Sequence, residues 1–293
     1  LRERLGLGGE HVLGANGSTE MIYLVPRDLG LERVAVVSPC YHDYHRASVL
    51  AGAEVQRIPL SPETRFRPPS AARLSDALEE AEALWLGNPN NPTGTFLPRA
   101  FLSDLAGRFP GKWLIVDEAF MAFDPAWREE SLALPPLLPN LIVIHSLTKF
   151  YGLAGLRLGG VTASPEVIER LRRFKEPWTA NSVSEALAPL LLSCTDYDEE
   201  TRRFVAEERS RLRAALEDVN GLDVFPSRAN FLLCRWDREP DLDSLLRRLL
   251  ARRIYVRDCR NFPGLEAGYF RVAVRTREDN DRLVRALASP DGD

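Results

Sequence analysis

Short apolar segments that alternate with amphipathic segments constrain the fold of this chain more than any other sequence feature. The apolar segments are rich in β-branched residues and cover 33–37, 84–87, 113–117, 141–145 and 158–162. Helical periodicity lies between them, at 44–51, 74–80 and 98–108. Strands that are apolar on both faces and separated by helices are typical of a parallel sheet covered on both sides. The pattern therefore predicts an α/β fold with a large, mostly parallel sheet flanked by helices.

The pattern changes after Glu176. Two helical segments follow at 182–193 and about 198–219, and strands and helices then alternate to the end of the chain. The strands are predicted at 231–235, 254–257 and 270–274, and the helices at 243–252 and 277–288. This order predicts a smaller α+β domain. We place the large domain at residues 1–176 and the small C-terminal domain at residues 177–293.

Composition excludes several classes of protein. With 45% hydrophobic residues, 27% charged residues and a formal net charge of -4, the 293-residue chain has a globular profile. Such a profile is not that of a disordered tail, a fibre or a polybasic nucleic-acid arm. No apolar run reaches the roughly 18 to 20 residues that a bilayer span requires. We therefore expect neither nucleic acid nor a membrane as a partner.

The four cysteines indicate a reducing compartment. They form no CxxC pair, which argues against a disulfide framework and a cysteine-based zinc site, so we expect a cytoplasmic protein. Cys40, His42 and His45 lie close together in the sequence. Histidines at this spacing are more often part of a helix surface than metal ligands, so a metal enzyme is the least favoured alternative and no metal site is predicted.

Polar side chains follow three of the predicted strands, where ligands of parallel sheets bind. Asn91 lies in the turn-rich segment after the second strand, Asp117 ends the third, and Lys149 follows the fourth with the hydroxyls of Ser146 and Thr148 beside it. An amide donor, a carboxylate and then an amine with flanking hydroxyls, in this order along the chain, are what a pyridoxal phosphate site requires. The cofactor needs a lysine for its aldehyde and a carboxylate that keeps its ring nitrogen protonated. The glycines after Lys149 match neither GxGxxG nor the phosphate-loop pattern, so a mononucleotide site is disfavoured.

In these motifs the chain resembles the fold-type I pyridoxal phosphate enzymes, the aspartate aminotransferase superfamily, over essentially its whole length. The resemblance implies that Lys149 of Ser-Leu-Thr-Lys bonds to the cofactor aldehyde and that Asp117 pairs with the ring nitrogen. Asn91 of Asn-Pro-Thr-Gly would donate to the ring hydroxyl oxygen. Tyr41 takes the place of the aromatic residue that stacks on the ring.

The resemblance also assigns residues to the cofactor phosphate and to the substrate. The phosphate would lie at a helix start, where free backbone N–H groups and the helix dipole favour an anion. Its predicted partners are Gly17, Ser18, Thr19, Ser146 and Arg157. Arg271 of Tyr-Phe-Arg-Val would bind the substrate α-carboxylate, with Asn181 as a second substrate contact. Arg228 and Arg257 are candidates for a substrate phosphate.

Two departures accompany the resemblance. Phe120 stands where the family usually has a tyrosine three residues after the ring-binding aspartate, so one hydroxyl donor is absent. Relatives also carry an N-terminal arm, whose tyrosine reaches the partner subunit's cofactor phosphate, and this arm is not visible in the sequence. The family assembles as homodimers, which the resemblance implies for this chain.

Within the superfamily, the chain is most similar to the branch that holds threonine-phosphate decarboxylases and histidinol-phosphate aminotransferases. The segments 146–151, 177–181, 256–259 and 261–265 look more like the decarboxylase, whose product enters cobalamin biosynthesis. The expected function is therefore pyridoxal-phosphate-dependent decarboxylation of a phosphorylated amino acid. Two alternatives stay open: a histidinol-phosphate or related aminotransferase, and a non-catalytic module that binds pyridoxal phosphate.

Overall fold

The computed structural model describes residues 1–238 and 241–289. Within these ranges the strands are β1 (Val12–Asn16), β2 (Arg33–Ser38), β3 (Glu54–Pro59), β4 (Ala83–Gly87), β5 (Trp113–Asp117), β6 (Leu141–Ser146), β7 (Leu158–Thr162), β8 (Leu222–Val224), β9 (Phe231–Trp236), β10 (Arg257–Asp258) and β11 (Tyr269–Ala273). The α-helices are α1 (Arg2–Leu5), α2 (Gly17–Leu29), α3 (His42–Leu50), α4 (Ala71–Glu80), α5 (Arg99–Arg108), α6 (Trp127–Glu130), α7 (Leu147–Phe150), α8 (Pro165–Phe174), α9 (Ser182–Ser193), α10 (Thr195–Glu217), α11 (Leu242–Ala251) and α12 (Arg277–Ala288).

Strands β1 to β7 form one seven-stranded sheet in the order β1-β7-β6-β5-β4-β2-β3. Every neighbouring pair from β6 to β3 is parallel, whereas β7 runs antiparallel to both β1 and β6. The predicted α/β fold with a mostly parallel sheet is therefore confirmed. Parallel pairing places the carboxyl ends of β4, β5 and β6 at one edge of the sheet. Asp117 is the last residue of β5, and Asn91 and Lys149 follow β4 and β6.

The central strands are buried on both faces because their alternate residues belong to two separate cores. On β5, Leu114 and Val116 pack into one core with α4 and α5, while Ile115 packs into the other with α2, α3 and α8. All three side chains are fully buried. This arrangement explains why the strands read as continuous apolar runs rather than as alternating ones.

Edge strands β1 and β3 were not predicted. Along β3 only Ile58 is buried, and β1 contains an exposed glycine, Gly14. An edge strand has one pairing neighbour and little buried surface, so its sequence lacks the apolar run that identified the central strands.

The C-terminal part contains an antiparallel sheet of four strands in the order β10-β11-β9-β8. Its own core includes Leu245, Leu283 and Phe270. Residues of the opposite face, among them Phe225 and Leu233, join one of the two cores of the large sheet. The boundary at residue 176 falls between α8 and α9, and the division into two domains there stays a proposal.

No helix in residues 1–238 and 241–289 is both long and apolar enough to cross a bilayer.

Candidate active site

A cavity of about 240 Å³ lies at the carboxyl ends of β4, β5 and β6. The predicted site residues that line it are Ser18, Thr19, Tyr41, Asn91, Asp117, Ser146, Lys149, Arg157 and Arg271. They come from both parts of the chain, since Arg271 lies on β11 and the others precede residue 160. The fold thus gathers nine side chains that are spread over more than two hundred residues.

Asp117 is the buried acid of this cavity. Its Oδ1 accepts a hydrogen bond from the Ala119 N–H at 2.9 Å, and its Oδ2 accepts one from the Tyr44 hydroxyl at 2.8 Å. Both donors are neutral. Burial raises the pKa of Asp117, and the two hydrogen bonds and the charge of Lys149 oppose that shift. A carboxylate in this position is stabilised by any cationic group that enters the cavity.

Tyr44 was missed in the sequence analysis, although it lines the cavity. It lies on α3, three residues after Tyr41, and the two rings meet edge to face with centroids 5.7 Å apart. Tyr41 is the N-cap of α3, so Tyr44 lies about one helical turn beyond it. A second tyrosine at this spacing is the signal that would have found Tyr44.

Lys149 lies on the short helix α7, directly after β6, and is exposed to the cavity. Partial desolvation lowers the pKa of its amine, and the nearby charges of Arg271 and Arg157 lower it further. The hydroxyls of Ser146 and Thr148 are hydrogen-bonded to each other at 2.8 Å. A less basic lysine is a better nucleophile at neutral pH because more of it is unprotonated.

Arg157 and the first turn of α2 form an anion cradle. Gly17, the first residue of α2, has φ of 74°, and a Cβ there would lie 2.5 Å from Arg157 Nη2. A Cβ on Gly159 would lie 2.6 Å from the Ser18 nitrogen. These two glycines therefore allow the helix start, β7 and the guanidinium to approach closely. Ser18 and Thr19 then present the helix N-terminus to the cavity.

Arg271 and Asn91 also line the cavity, and the Arg271 guanidinium donates to the Asn91 side-chain oxygen. The guanidinium also lies over the Phe231 ring, 4.5 Å from its centroid. Burial lowers the pKa of Arg271, and the charge of Arg257 contributes to the shift. Phe120 lines the cavity as well, and its ring packs edge to face on Phe231 at 5.0 Å.

Two predicted residues are engaged elsewhere. Asn181 is not among the residues that line the cavity: its Oδ1 accepts from the Ser184 N–H at 2.9 Å as the N-cap of α9, and its Nδ2 donates to the Leu156 carbonyl at 3.1 Å. Its amide is therefore already satisfied without a substrate. Arg228 forms a bidentate pair with the buried Asp124, so it is not free for a substrate phosphate.

The donor set fits pyridoxal phosphate. The cavity offers an amine for the aldehyde and a buried carboxylate for the ring nitrogen. The hydrogen-bond donors to that carboxylate are neutral, so it can still pair with a cationic ring nitrogen. An aromatic side chain is present for the ring, and a helix start with an arginine and hydroxyls is present for the phosphate. Lys149 is the lysine among these lining residues. The part of the chain that the structure describes contains no group of three or more histidine, cysteine or acidic residues placed to hold a metal ion.

Comparisons with known proteins agree with this geometry. A family model described as aminotransferase class I and II matches residues 2–287. The threonine-phosphate decarboxylase of Salmonella typhimurium is 38% identical over 94% of this chain and 76% of its own length. A histidinol-phosphate aminotransferase of Symbiobacterium thermophilum is 36% identical over 100% of this chain and 81% of its own length.

Solved structures give the same result. A decarboxylase from Sulfurospirillum multivorans superposes with a TM-score of 0.88 at 30% identity, and the match covers 98% of this chain and 83% of that chain. The family match spans nearly the whole sequence, and the cavity carries the residues that the family's cofactor needs. The chain therefore belongs to the aminotransferase class I and II family and is an enzyme that uses pyridoxal phosphate.

Proposed function

We propose that the enzyme decarboxylates a phosphorylated amino acid, and that threonine phosphate is its substrate. The observation that carries this proposal is a second arginine beside Arg271. In the β10–β11 pair, Arg257 stands directly opposite Arg271. Directly opposite residues of an antiparallel pair share one face of the sheet, with Cβ atoms about 5 Å apart.

Arg257 is free to bind an anion. Its side chain is exposed, donates to the Asn261 side-chain oxygen at 3.0 Å and lies over the Phe262 ring, and both partners are neutral. Like charges directly opposite each other repel, so an anion between the two arginines would relieve this repulsion. The cavity is lined by three cations, Lys149, Arg157 and Arg271, and one carboxylate, Asp117. Arg257 is not among the lining residues and adds a fourth cation through its position opposite Arg271. The charge excess favours a substrate with two anionic groups in addition to the cofactor phosphate.

The two arginines match threonine phosphate. We assign its α-carboxylate to Arg271 and its phosphate to Arg257, each as a charge-assisted hydrogen-bonded pair. Holding both ends of the substrate fixes the torsion at Cα and thereby the bond that breaks. Histidinol phosphate has one anionic group and would use one arginine of the pair. The identity to the Salmonella decarboxylase supports the same choice.

The residues of this chain divide the chemistry as follows. Pyridoxal phosphate, when bound, accepts the electron pair that a broken bond at the substrate Cα leaves behind. Asp117 holds the proton on the ring nitrogen, Asn91 donates to the ring hydroxyl oxygen, and Tyr41 packs on the ring. Ser18, Thr19, Ser146, Arg157 and the backbone at Gly17 hold the phosphate. Lys149 would donate a proton to Cα in place of the departed CO₂.

An aminotransferase acting on histidinol phosphate is the second candidate. It is favoured by the 36% identity to the Symbiobacterium enzyme and by the fact that its co-substrate 2-oxoglutarate carries two carboxylates, which the arginine pair would also suit. Incubation with threonine phosphate alone, compared with histidinol phosphate plus 2-oxoglutarate, separates the two. Release of CO₂ from threonine phosphate supports the proposal. Oxo-acid-dependent consumption of histidinol phosphate, with no CO₂ from threonine phosphate, would replace it with the second candidate.

Removal of the second arginine should weaken substrate binding specifically. In Arg257→Gln we expect the KM for threonine phosphate to rise by at least about tenfold, because a charge-assisted pair to phosphate is lost. The change in kcat should be smaller. The control is Arg235→Gln, which removes an arginine of β9 that pairs with Asp237 at 3.5 Å. A KM that rises equally in both variants would show that Arg257 does not contact the phosphate.

We also propose that the enzyme is a homodimer and that α9 lies in the interface. Val183 and Leu190 on this helix are 57% and 62% exposed, and Trp178 just before it is 96% exposed. An apolar surface of this kind is usually covered by a partner, and a two-fold pair with a second copy is the common solution. The unpaired thiols of all four cysteines support a reducing, cytoplasmic location.

Sedimentation of the wild-type protein should give about twice the mass of 32.9 kDa. We expect Leu190→Asp to shift it to the monomer, because a carboxylate in an apolar interface is left desolvated and unpaired. Leu250→Asp is the matched control, since Leu250 is also 62% exposed but lies on α11. Dimers that persist in L190D, or that dissociate equally in L250D, would place the interface elsewhere.

A further inference from the structure

Tyr44 is hydrogen-bonded to Asp117, and the proposed chemistry gives this tyrosine no role. Its hydroxyl donates to Asp117 Oδ2 at 2.8 Å, and its ring stacks on the fully buried Trp85 with centroids 5.1 Å apart and an interplanar angle of 15°. Tyr44 itself is 3% exposed. The stack and the enclosure leave the ring little freedom, so the hydroxyl is held against the carboxylate before any ligand binds.

Asp117 depends on such a donor because burial disfavours its ionised form. The titratable groups around it are Tyr44 of α3, Tyr41 at the N-cap of α3, the adjacent Glu118 and Lys149 of α7. Lys149 is the cation of this set. Lys149 would be engaged by the cofactor aldehyde, whereas the Ala119 N–H and the Tyr44 hydroxyl donate directly to Asp117 and favour the carboxylate over the carboxylic acid.

The proton between Asp117 and a pyridine ring has two possible positions. On the ring nitrogen it leaves a carboxylate, and on the carboxyl it leaves a neutral ring that withdraws electrons less strongly. A hydrogen bond donated to Oδ2 stabilises the carboxylate and therefore favours the proton on nitrogen.

We propose that Tyr44 is a positioning residue for the reaction: its hydroxyl keeps the Asp117 carboxylate ionised and oriented, so that the proton resides on the cofactor ring nitrogen. This inference rests on the proposed pairing of Asp117 with that nitrogen. In this role Tyr44 acts through Asp117.

The first test uses the cofactor-free protein and follows Asp117 by carboxyl ¹³C NMR during a pH titration. Tyr44→Phe retains the ring that stacks on Trp85 and removes only the hydroxyl. We expect the pKa of Asp117 in Y44F to lie about one unit above its wild-type value, because one of two donors to the carboxylate is gone. Tyr23→Phe is the matched control, since the Tyr23 hydroxyl donates to Asp43 at 3.1 Å, away from Asp117. An Asp117 titration that is the same in Y44F and wild type overturns the proposal.

The second test uses the holoenzyme with ¹⁵N-labelled pyridoxal phosphate. In Y44F the ring-nitrogen shift should move toward that of neutral pyridine, with a fall in kcat of about tenfold and an unchanged KM. Y23F should leave all three values at the wild-type level. Asp117→Asn serves as the reference for a ring without its acid. If the ring-nitrogen chemical shift is at its wild-type value in Y44F but changed in D117N, the role of Tyr44 is overturned and the Asp117 pairing stands. An unchanged shift in D117N overturns the Asp117 pairing and the Tyr44 inference with it.

Discussion

The Lys149→Ala protein mixed with pyridoxal phosphate is expected to remain without the yellow absorbance band that appears when the cofactor bonds to a protein amine. Turnover should fall by at least about a thousandfold, because the variant loses both the covalent attachment and the group that moves the Cα proton. Absorbance spectra with and without borohydride, and single-substrate kinetics, measure the two effects. Lys149 carries this expectation because it is the lysine among the residues that line the cavity.

The other two lysines provide the controls. Lys112 lies just before β5, and Lys175 pairs with Glu20 at 3.2 Å. Lys112→Ala and Lys175→Ala should keep the yellow band. A Lys149→Ala protein that retains a borohydride-reducible colour would show that the cofactor bonds to a different amine, and the proposed mechanism would then be wrong.

The second large effect is expected in Asp117→Asn. The variant should bind pyridoxal phosphate and turn yellow, since Lys149 and the phosphate cradle are intact. Its kcat should nevertheless fall by about a thousandfold, because a neutral amide does not hold a proton on the ring nitrogen and the electron sink weakens. Cofactor titration and steady-state kinetics separate the two properties. Wild-type turnover in D117N would place the ring-nitrogen partner at another residue.

For the cofactor-free protein, we expect the stability of the same variant relative to the wild type to depend on pH. Burial raises the folded-state pKa of Asp117 above the unfolded value of about 3.9. Folding therefore favours the protonated carboxyl, and the contribution of Asp117 to stability is present below the unfolded pKa and lost as the pH rises through the folded pKa. The free energy of unfolding of D117N minus that of the wild type should consequently increase as the pH rises from 4 toward neutrality. Denaturant unfolding at several pH values measures the difference, and a constant difference would contradict it.

Much of the fold was predictable because the central strands are buried on both faces. The segments predicted at 113–117 and 158–162 coincide with β5 and β7, and the predicted 84–87 differs from β4 by one residue. Two of the errors lie where burial is weak. The strand predicted at 254–257 overlaps β10 at Arg257 only, and the exposed edge strand β3 was not predicted. A continuous apolar run indicates a strand that is buried on both faces. An edge strand has little buried surface, so its sequence contains no such run.

The catalytic candidates were predictable for a related reason. Asn91, Asp117 and Lys149 each follow a strand of a parallel sheet, and topology alone brings such strand ends to one edge. Tyr44 and Arg257 were less accessible. Tyr44 reaches Asp117 from helix α3, 73 positions earlier in the chain, and Arg257 gains its meaning from its register opposite Arg271. Asn181 shows the converse case, because its amide is consumed by the cap of α9.

The amino-acid sequence by itself determined the parallel sheet, the order of the chemical groups along its edge and the class of cofactor, because hydrophobic burial and strand polarity follow from local patterns. Only the tertiary structure decided which neutral donors face Asp117, how the glycines at 17 and 159 admit Arg157 to the helix start, and which arginine stands beside Arg271. Those contacts join residues that lie far apart in the chain, and side-chain packing and strand register, which no local pattern encodes, set their distances.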